Sequence, residues 1–248
     1  TMLKYGSESA KQFYEMCVID PRFAKAHREG DIHIHDMDFY TLTTTCCQIE
    51  LRKLFKGGFS TGHGVLREPN DIASYTALAC IAIQSNQNDQ HGGQSVCDFD
   101  YGLAVGVRKT YRRLFKKHLA EAVDLLTEVA DEHPFVEELL ARVEEATGTV
   151  ASLEMDEGFR AAVLAELTEA GIEAAIAETA VAYAAKNAAR DADRSTFQAM
   201  EALVHNLNTM HSRAGAQTPF SSVNYGMDTS PEGRMVIKNM LLATEEGL

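Results

Sequence analysis

The sequence offers four stretches whose residue types and spacing suit chemistry. The first is Thr43-Thr44-Thr45-Cys46-Cys47-Gln48. Threonines favour a strand over a helix, and on a strand neighbouring side chains point to opposite faces. One of the two thiols can then line a cavity while the other is buried. A weak S–H bond beside threonine hydroxyls suits hydrogen-atom or electron donation. A thiolate nucleophile would want a basic partner, which the strand does not supply; two cysteines buried in a core strand is the plainer alternative. The second stretch is His33-Ile34-His35-Asp36. On a strand its imidazoles share a side, as metal ligands at a barrel rim would. His63, His91 and Asp38 are further donors without diagnostic spacing, and hydrogen bonding to a turn is the alternative.

The third stretch runs from Gln84 to Ser95 and ends in Gly92-Gly93-Gln94-Ser95. Glycines let a backbone approach a ligand closely, and the Gln and Asn amides supply paired donors and acceptors. Neither standard phosphate-cradling glycine pattern is present, so a polar loop is the ordinary reading. The fourth is AGAQTPFSSVNYG, in which Ser221, Ser222 and Asn224 lie on or beside a β-prone segment. They could contact a polar ligand or simply bond across strands. A basic run over residues 108–118 could attract phosphate, but at helical spacing it reads as a solvated face with snorkelling stems.

These groups need elements to position them. Residues 7–18 read as an amphipathic helix capped by Ser7 or Ser9, and Pro21 starts a second helix ending near Gly30. The alternating tract 31–40 leads into a strand within 41–51. The segment 48–58, apolar at 49, 51, 54 and 55, reads as a short helix stopped by Gly57-Gly58. Residues 59–70 form a glycine-punctuated loop. A helix capped by Asn70 or Asp71 runs to Asn88. Its apolar coverage is wide enough to imply burial on two sides, in a core or an oligomer interface. After the polar tract come a long helical region over 99–130 and an Ala- and Glu-rich helical stretch over 134–214, broken near Gly148, Gly158 and Gly171. PFSSVNYG (219–226) is the second strand, and Ser230 caps a last helix with Pro231 at its first turn. Strands joined by long helical crossovers predict parallel pairing in an α/β fold. Two strands cannot close a core, so the chain reads as part of a larger barrel.

The 248 residues and 45% hydrophobic content support a sizeable core. With 36 acidic and 23 basic residues the net charge is −13, which argues against a surface that coats nucleic acid. No apolar run approaches the roughly 20 residues of a membrane span, and no signal-peptide pattern opens the chain. The expected location is the cytoplasm. Five cysteines (Cys17, Cys46, Cys47, Cys80, Cys97) with no C-x-x-C pair fit neither a disulfide framework nor a four-cysteine zinc site. Cys17 and Cys80 read as small core residues.

Taken in order, HIHDMDFY, TTTCCQIELRKLFKGGFSTGHGVLREP, SYTALACIAIQSNQNDQHGGQSV, FDYGLAVGVRKTY and HSRAGAQTPFSSVNYG resemble the anaerobic, glycyl-radical ribonucleoside-triphosphate reductase family. The resemblance covers residues 1–118 and 205–248; the region between, insertion-like over about 119–204, matches only in being helical. The resemblance implies a ten-stranded α/β barrel with the active site inside, of which this chain is a partial, strongly helical portion. It implies that a glycyl radical passes its unpaired electron to a finger-loop cysteine, whose thiyl abstracts the 3′ hydrogen of a ribonucleoside triphosphate. Water then leaves C2′, and a cysteine on the first barrel strand delivers a reducing hydrogen, with formate or a small thiol protein as reductant.

Carried over by position, that first-strand cysteine is Cys46, with Cys47 facing away. Thr45, Gly92, Gly93, Gln94, Ser95, Ser221, Ser222 and Asn224 fall where the family contacts substrate. The resemblance further implies a homodimer through the helices at 71–88 and 99–118, ATP and dNTP effectors, a radical-SAM activating enzyme, and a zinc site formed by four cysteines. The ATP-binding regulatory domain, the finger-loop cysteine, the glycyl-radical segment and the zinc site are expected outside residues 1–248. The chain alone is therefore expected to be inactive and poorly soluble. Another glycyl-radical enzyme, a metal-dependent hydrolase built on His33 and His35, and a helical interaction module are the alternatives.

Overall fold

The computed structural model describes residues 2–41, 45–62, 64–127, 132–210, 218 and 220–247. Thr43, Thr44, His63 and residues 211–217 lie outside the described residues. Along the chain run α1 (Met2–Cys17), α2 (Pro21–Glu29), a single 3-10 turn (Met37–Phe39), β1 (Thr45–Ile49), α3 (Leu51–Phe55), β2 (Phe59–Ser60) and β3 (Val65–Leu66). They are followed by α4 (Ile72–Asp89), β4 (His91–Val96), α5 (Phe99–Leu126), α6 (Glu132–Thr147), α7 (Glu157–Glu169), α8 (Ala174–Thr209), β5 (Ser221–Val223) and α9 (Pro231–Glu246).

Local chemistry sets most boundaries. Asp20 accepts a hydrogen bond from the Arg22 N–H ahead of Pro21, and Gly30 ends α2 at φ 85°. Asp71 and Ser74 form a reciprocal capping box on α4. The Ser230 hydroxyl accepts from the Gly233 N–H at the start of α9. The breaks foreseen at Gly148 and Gly171 fall just after α6 and α7, while Gly158 lies inside the first turn of α7, behind the Asp156 cap.

The protein is mostly helical around a small parallel sheet of order β1-β4-β5, an α/β arrangement. The parallel pairing is as expected, but the sheet has a middle strand, β4, where the sequence reads as a polar loop. Its Gly-Gly resembles a turn, yet β4 is held by β1 on one edge and β5 on the other, and tertiary pairing overrides propensity. Residues 31–36 form turns rather than a strand, because the preceding helix ends in a left-handed Gly30 and Asp36 is itself left-handed (φ 48°). The helix expected within 48–58 starts only at Leu51, since Gln48 and Ile49 belong to β1. A two-stranded antiparallel hairpin, β2–β3, occupies part of the predicted 59–70 loop.

Three apolar clusters hold the structure. One joins the C-terminal half of α5 to α6, α7 and the N-terminal half of α8 around Phe115, Leu139, Phe159 and Val181. The second packs α3, α4, the N-terminal half of α5, the C-terminal half of α8 and α9 against the sheet through Ile49, Val96, Leu103 and Met200. Here α5 comes so close that a Cβ on Gly106 would lie 2.9 Å from Tyr75 Cγ, and one on Gly102 2.7 Å from Leu51 Cβ. Much of the apolar surface of α4 is taken up by β4, α5 and α8 of the same chain, while Ala73, Ala77 and Ile81 stay exposed. The smallest cluster, Tyr14, Ile19, Ala24 and Met37, ties α1 and α2 to the 3-10 turn. Among the described residues no helix is long and apolar enough to cross a membrane.

Candidate active site

The site is built on the sheet face turned away from the helices. Register places Cys47, Gln94 and Ser221 in one row, Gln48, Ser95 and Ser222 in the next, and Ile49, Val96 and Val223 in the third. Ile49 and Val96 are buried in the second cluster, with Cys47 and Val223 packed against it. Alternation along each strand therefore turns Cys46, Gln48, Ser95 and Ser222 to the opposite face. On that face a cavity of ≈ 600 Å³ is lined from all three strands: Cys46 and Gln48 of β1, Gly93 and Ser95 of β4, and Ser222 of β5, with Phe220 at the edge, while Cys47, Gln94 and Ser221 of the helix-facing row also border it. Its size suits a ligand as large as a nucleoside.

A backbone irregularity aims the first thiol. Thr45 pairs with His91 and Cys47 with Gln94, so Gly92 and Gly93 together oppose Cys46 alone. This is a β-bulge, a device that redirects a side chain. Cys46 takes a left-handed φ of 64° and Gly92 a φ of 98°; the glycine meets that geometry without a steric penalty. Cys46 is exposed and Cys47 half-buried.

The other anticipated residues divide. Cys46, Gly93, Ser95, Ser221 and Ser222 come together at the cavity. Gln94 touches it from the strand, but its carboxamide is engaged by Asn86 of α4, which donates to Oε1. Gln94 is buried and its Nε2 has no partner among the described residues. Gly92 is not part of the lining and acts through the bulge. Asn224 lies beyond the cavity, where its backbone N–H donates to Val96 O and its carbonyl accepts from Phe99 N–H. Thr45 of β1 pairs with His91 of β4, and its side chain lies outside the described residues. His33 and His35 sit on the N-terminal turns with ring centroids 5.8 Å apart, next to His27. Among the described residues no three metal-capable side chains converge; the metal-hydrolase alternative loses its strand geometry, while His63 and the His91 side chain lie outside the described residues. The basic run is consumed by ion pairs: Arg108 with Glu232, Lys109 with Glu68, Arg112 with Glu144, Arg113 with Asp71 and Lys116 with Glu137.

Sequence reasoning missed the residues that fix the strand ends. Buried Asp98 accepts from the N–H groups of Leu51 (2.8 Å) and Arg52 (3.2 Å), holding the turn after β1. Asp100 accepts from the N–H groups of Gly226, Met227 and Asp228 at 2.8–2.9 Å, holding the segment after β5. Burial would raise the Asp100 carboxyl, but these bonds and one from Tyr101 N–H outweigh it and hold it below the usual Asp value. The available signal was two aspartates flanking an apolar Phe99 directly after β4.

A thiol and hydroxyls on three parallel strands, around one cavity, agree with comparisons to known proteins. The family model for anaerobic ribonucleoside-triphosphate reductase matches residues 1–248. The chain belongs to this family. It is 24% identical over 226 residues to the anaerobic ribonucleoside-triphosphate reductase of Enterobacteria phage T4, covering 90% of this chain and 28% of the phage protein. It is 23% identical over 241 residues to the enzymes of that name from Salmonella typhimurium and Escherichia coli, covering 96% of this chain and 26% of each. The chain thus spans about a quarter of the length of these reductase relatives.

Proposed function

We propose that this chain supplies the substrate-facing first strand of an anaerobic ribonucleoside-triphosphate reductase, with Cys46 as the thiol that hands a hydrogen to the reacting ribose. The observation that carries this reading is the common cavity shared by Cys46, Gly93, Ser95, Ser221 and Ser222. Parallel sheets are ordinarily covered on both faces, whereas here one face packs on helices and the other is polar. Closure of that polar face into the interior of a ten-stranded barrel resolves the exception.

In this reading the ribonucleoside triphosphate lies with its sugar against Cys46 and the serines. A glycyl radical, generated with a radical-SAM activating enzyme, would supply the unpaired electron that opens the reaction by 3′-hydrogen removal. Cys46 then acts by homolysis of its weak S–H bond: the hydrogen goes to the substrate and the oxidised sulfur is re-reduced at the expense of formate or a thiol protein. Cys47, held toward the helices, is not in the hydrogen path. Effector binding by ATP or dNTPs and a homodimer belong to the same proposal. The described residues offer no ligand set for zinc.

The test is Cys46→Ser in a catalytically active reductase containing this chain. The expected result is loss of at least about a thousand-fold in dNTP formation, near 4 kcal/mol of barrier, with the glycyl-radical electron paramagnetic resonance signal intact. Turnover at the wild-type rate would remove Cys46 from the chemistry and the reading with it.

A further inference from the structure

Between Cys46 and the end of β1 the cavity face carries one more side chain, Gln48. In register with it across the sheet are Ser95 and Ser222, giving a straight row of carboxamide, hydroxyl and hydroxyl at strand spacings of roughly 4.8 Å. All three line the same cavity as Cys46, and Gln48 and Ser222 are exposed to it. Two features narrow what the row can hold. Every group in it is neutral and able both to donate and to accept, and among the described residues no charged side chain lines the cavity. Such a surface suits sugar hydroxyls and is poor for phosphate, whose recognition depends on cations or on helix N-termini. Gln48 has the longest reach of the three and stands two residues from the thiol, about 6.6 Å along the strand. It also lines a second cavity of ≈ 570 Å³ between β1, α3, β2 and α4.

We infer that Gln48 is a specificity-determining residue: with Ser95 and Ser222 it binds the cis-diol of the ribose next to Cys46, selecting ribo- over 2′-deoxyribonucleosides, while the phosphates are held outside this cavity. The inference rests on the nucleotide reading above and adds to it which part of the substrate the chain sees and which side chain reads it. A carboxamide that bonds the 2′-hydroxyl is left short of a partner by the 2′-deoxy sugar, and sites built to bond a hydroxyl reject the analogue lacking it.

The experiment measures protection of Cys46 from iodoacetamide, resolved from Cys47 by tandem mass spectrometry, in the full 248-residue chain. Adenosine, 2′-deoxyadenosine and ATP are the probes. Adenosine and ATP are expected to protect at half-saturating concentrations within about two-fold of each other, and 2′-deoxyadenosine to need about five-fold more. Gln48→Leu, at an exposed position, is expected to erase the ribo/deoxy difference, and Gln48→Asn to restore part of it. Protection by ATP ten-fold stronger than by adenosine would put phosphate in the cavity and overturn the inference. Undiminished discrimination in Gln48→Leu would overturn it as well. Absence of protection by any nucleoside, while Cys46→Ser still abolishes turnover, sinks the diol row alone; survival of turnover in Cys46→Ser sinks the nucleotide reading too.

Discussion

At Cys46 the chain accepts a left-handed backbone (φ 64°) inside a strand, a conformation that costs an L-residue roughly 1–2 kcal/mol. Strain of this kind concentrates where a side chain must be aimed, and here it is shared with the Gly92–Gly93 bulge opposite. Replacing Cys46 by alanine keeps the strain, and replacing it by glycine releases it. Cys46→Gly is therefore expected to be more stable than Cys46→Ala by about 0.5–1 kcal/mol, the steric relief exceeding the entropic penalty of glycine. Urea denaturation of the two variants checks this; equal midpoints would mean that the bulge imposes nothing on position 46. Alternation along the sequence puts Cys46 and Cys47 on opposite faces of a strand; in the structure both border the cavity, and Cys47 also packs against the helix-side cluster. The bulge was not legible, since it depends on how two strands distant in sequence are paired. For the same reason the sequence does not show that Gln94 borders the cavity with its carboxamide engaged by α4, or that Asn224 follows the end of the sheet.

The sheet keeps its register because short elements at its ends are pinned from the start of α5. Asp100 carries the larger share, with four backbone N–H groups on one carboxylate and a folded-state pKa held below the ordinary 3.8. A depressed carboxylate stabilises the fold fully above its unfolded value, and the contribution is lost as pH falls from there through the lower folded value. Asp100→Asn is expected to cost about 1–3 kcal/mol at pH 7 and to flatten the loss of stability between pH 4 and the acid limit. Denaturation midpoints taken at several pH values between 2 and 7 decide the matter, and parallel curves for the two proteins would contradict the assignment. Helix ends such as Asp71, Ser230 and Gly30 were legible because capping is local chemistry within four residues. β4 was not: the polar run from Gln84 continues α4 as far as Asp89, and His91–Val96 becomes a strand only through β1 and β5.

Two helices run the length of the molecule and belong to both large clusters: α5 (28 residues) and α8 (36 residues). The insertion-like region from α6 to the first half of α8 is thus not an appendage; it shares its two longest struts with the sheet that carries Cys46. If the struts transmit stability, damage in one cluster must appear in the other. Phe159 is 0% exposed in the helical cluster, and Phe159→Ala is expected to cost about 3–5 kcal/mol. Cys80 reports on the other cluster: it is 3% exposed, and burial pushes its thiol up to about 11 despite a hydrogen bond with Asn206. At pH 8 it therefore stays protonated and unreactive until the sheet-side core opens. With Phe159 truncated, the urea midpoint for Cys80 labelling is expected to fall together with that for helical circular dichroism, as a single cooperative transition requires. A Cys80 midpoint that stays in place while ellipticity is lost early would show two independent units. The candidate site would then stand on the sheet-side cluster alone.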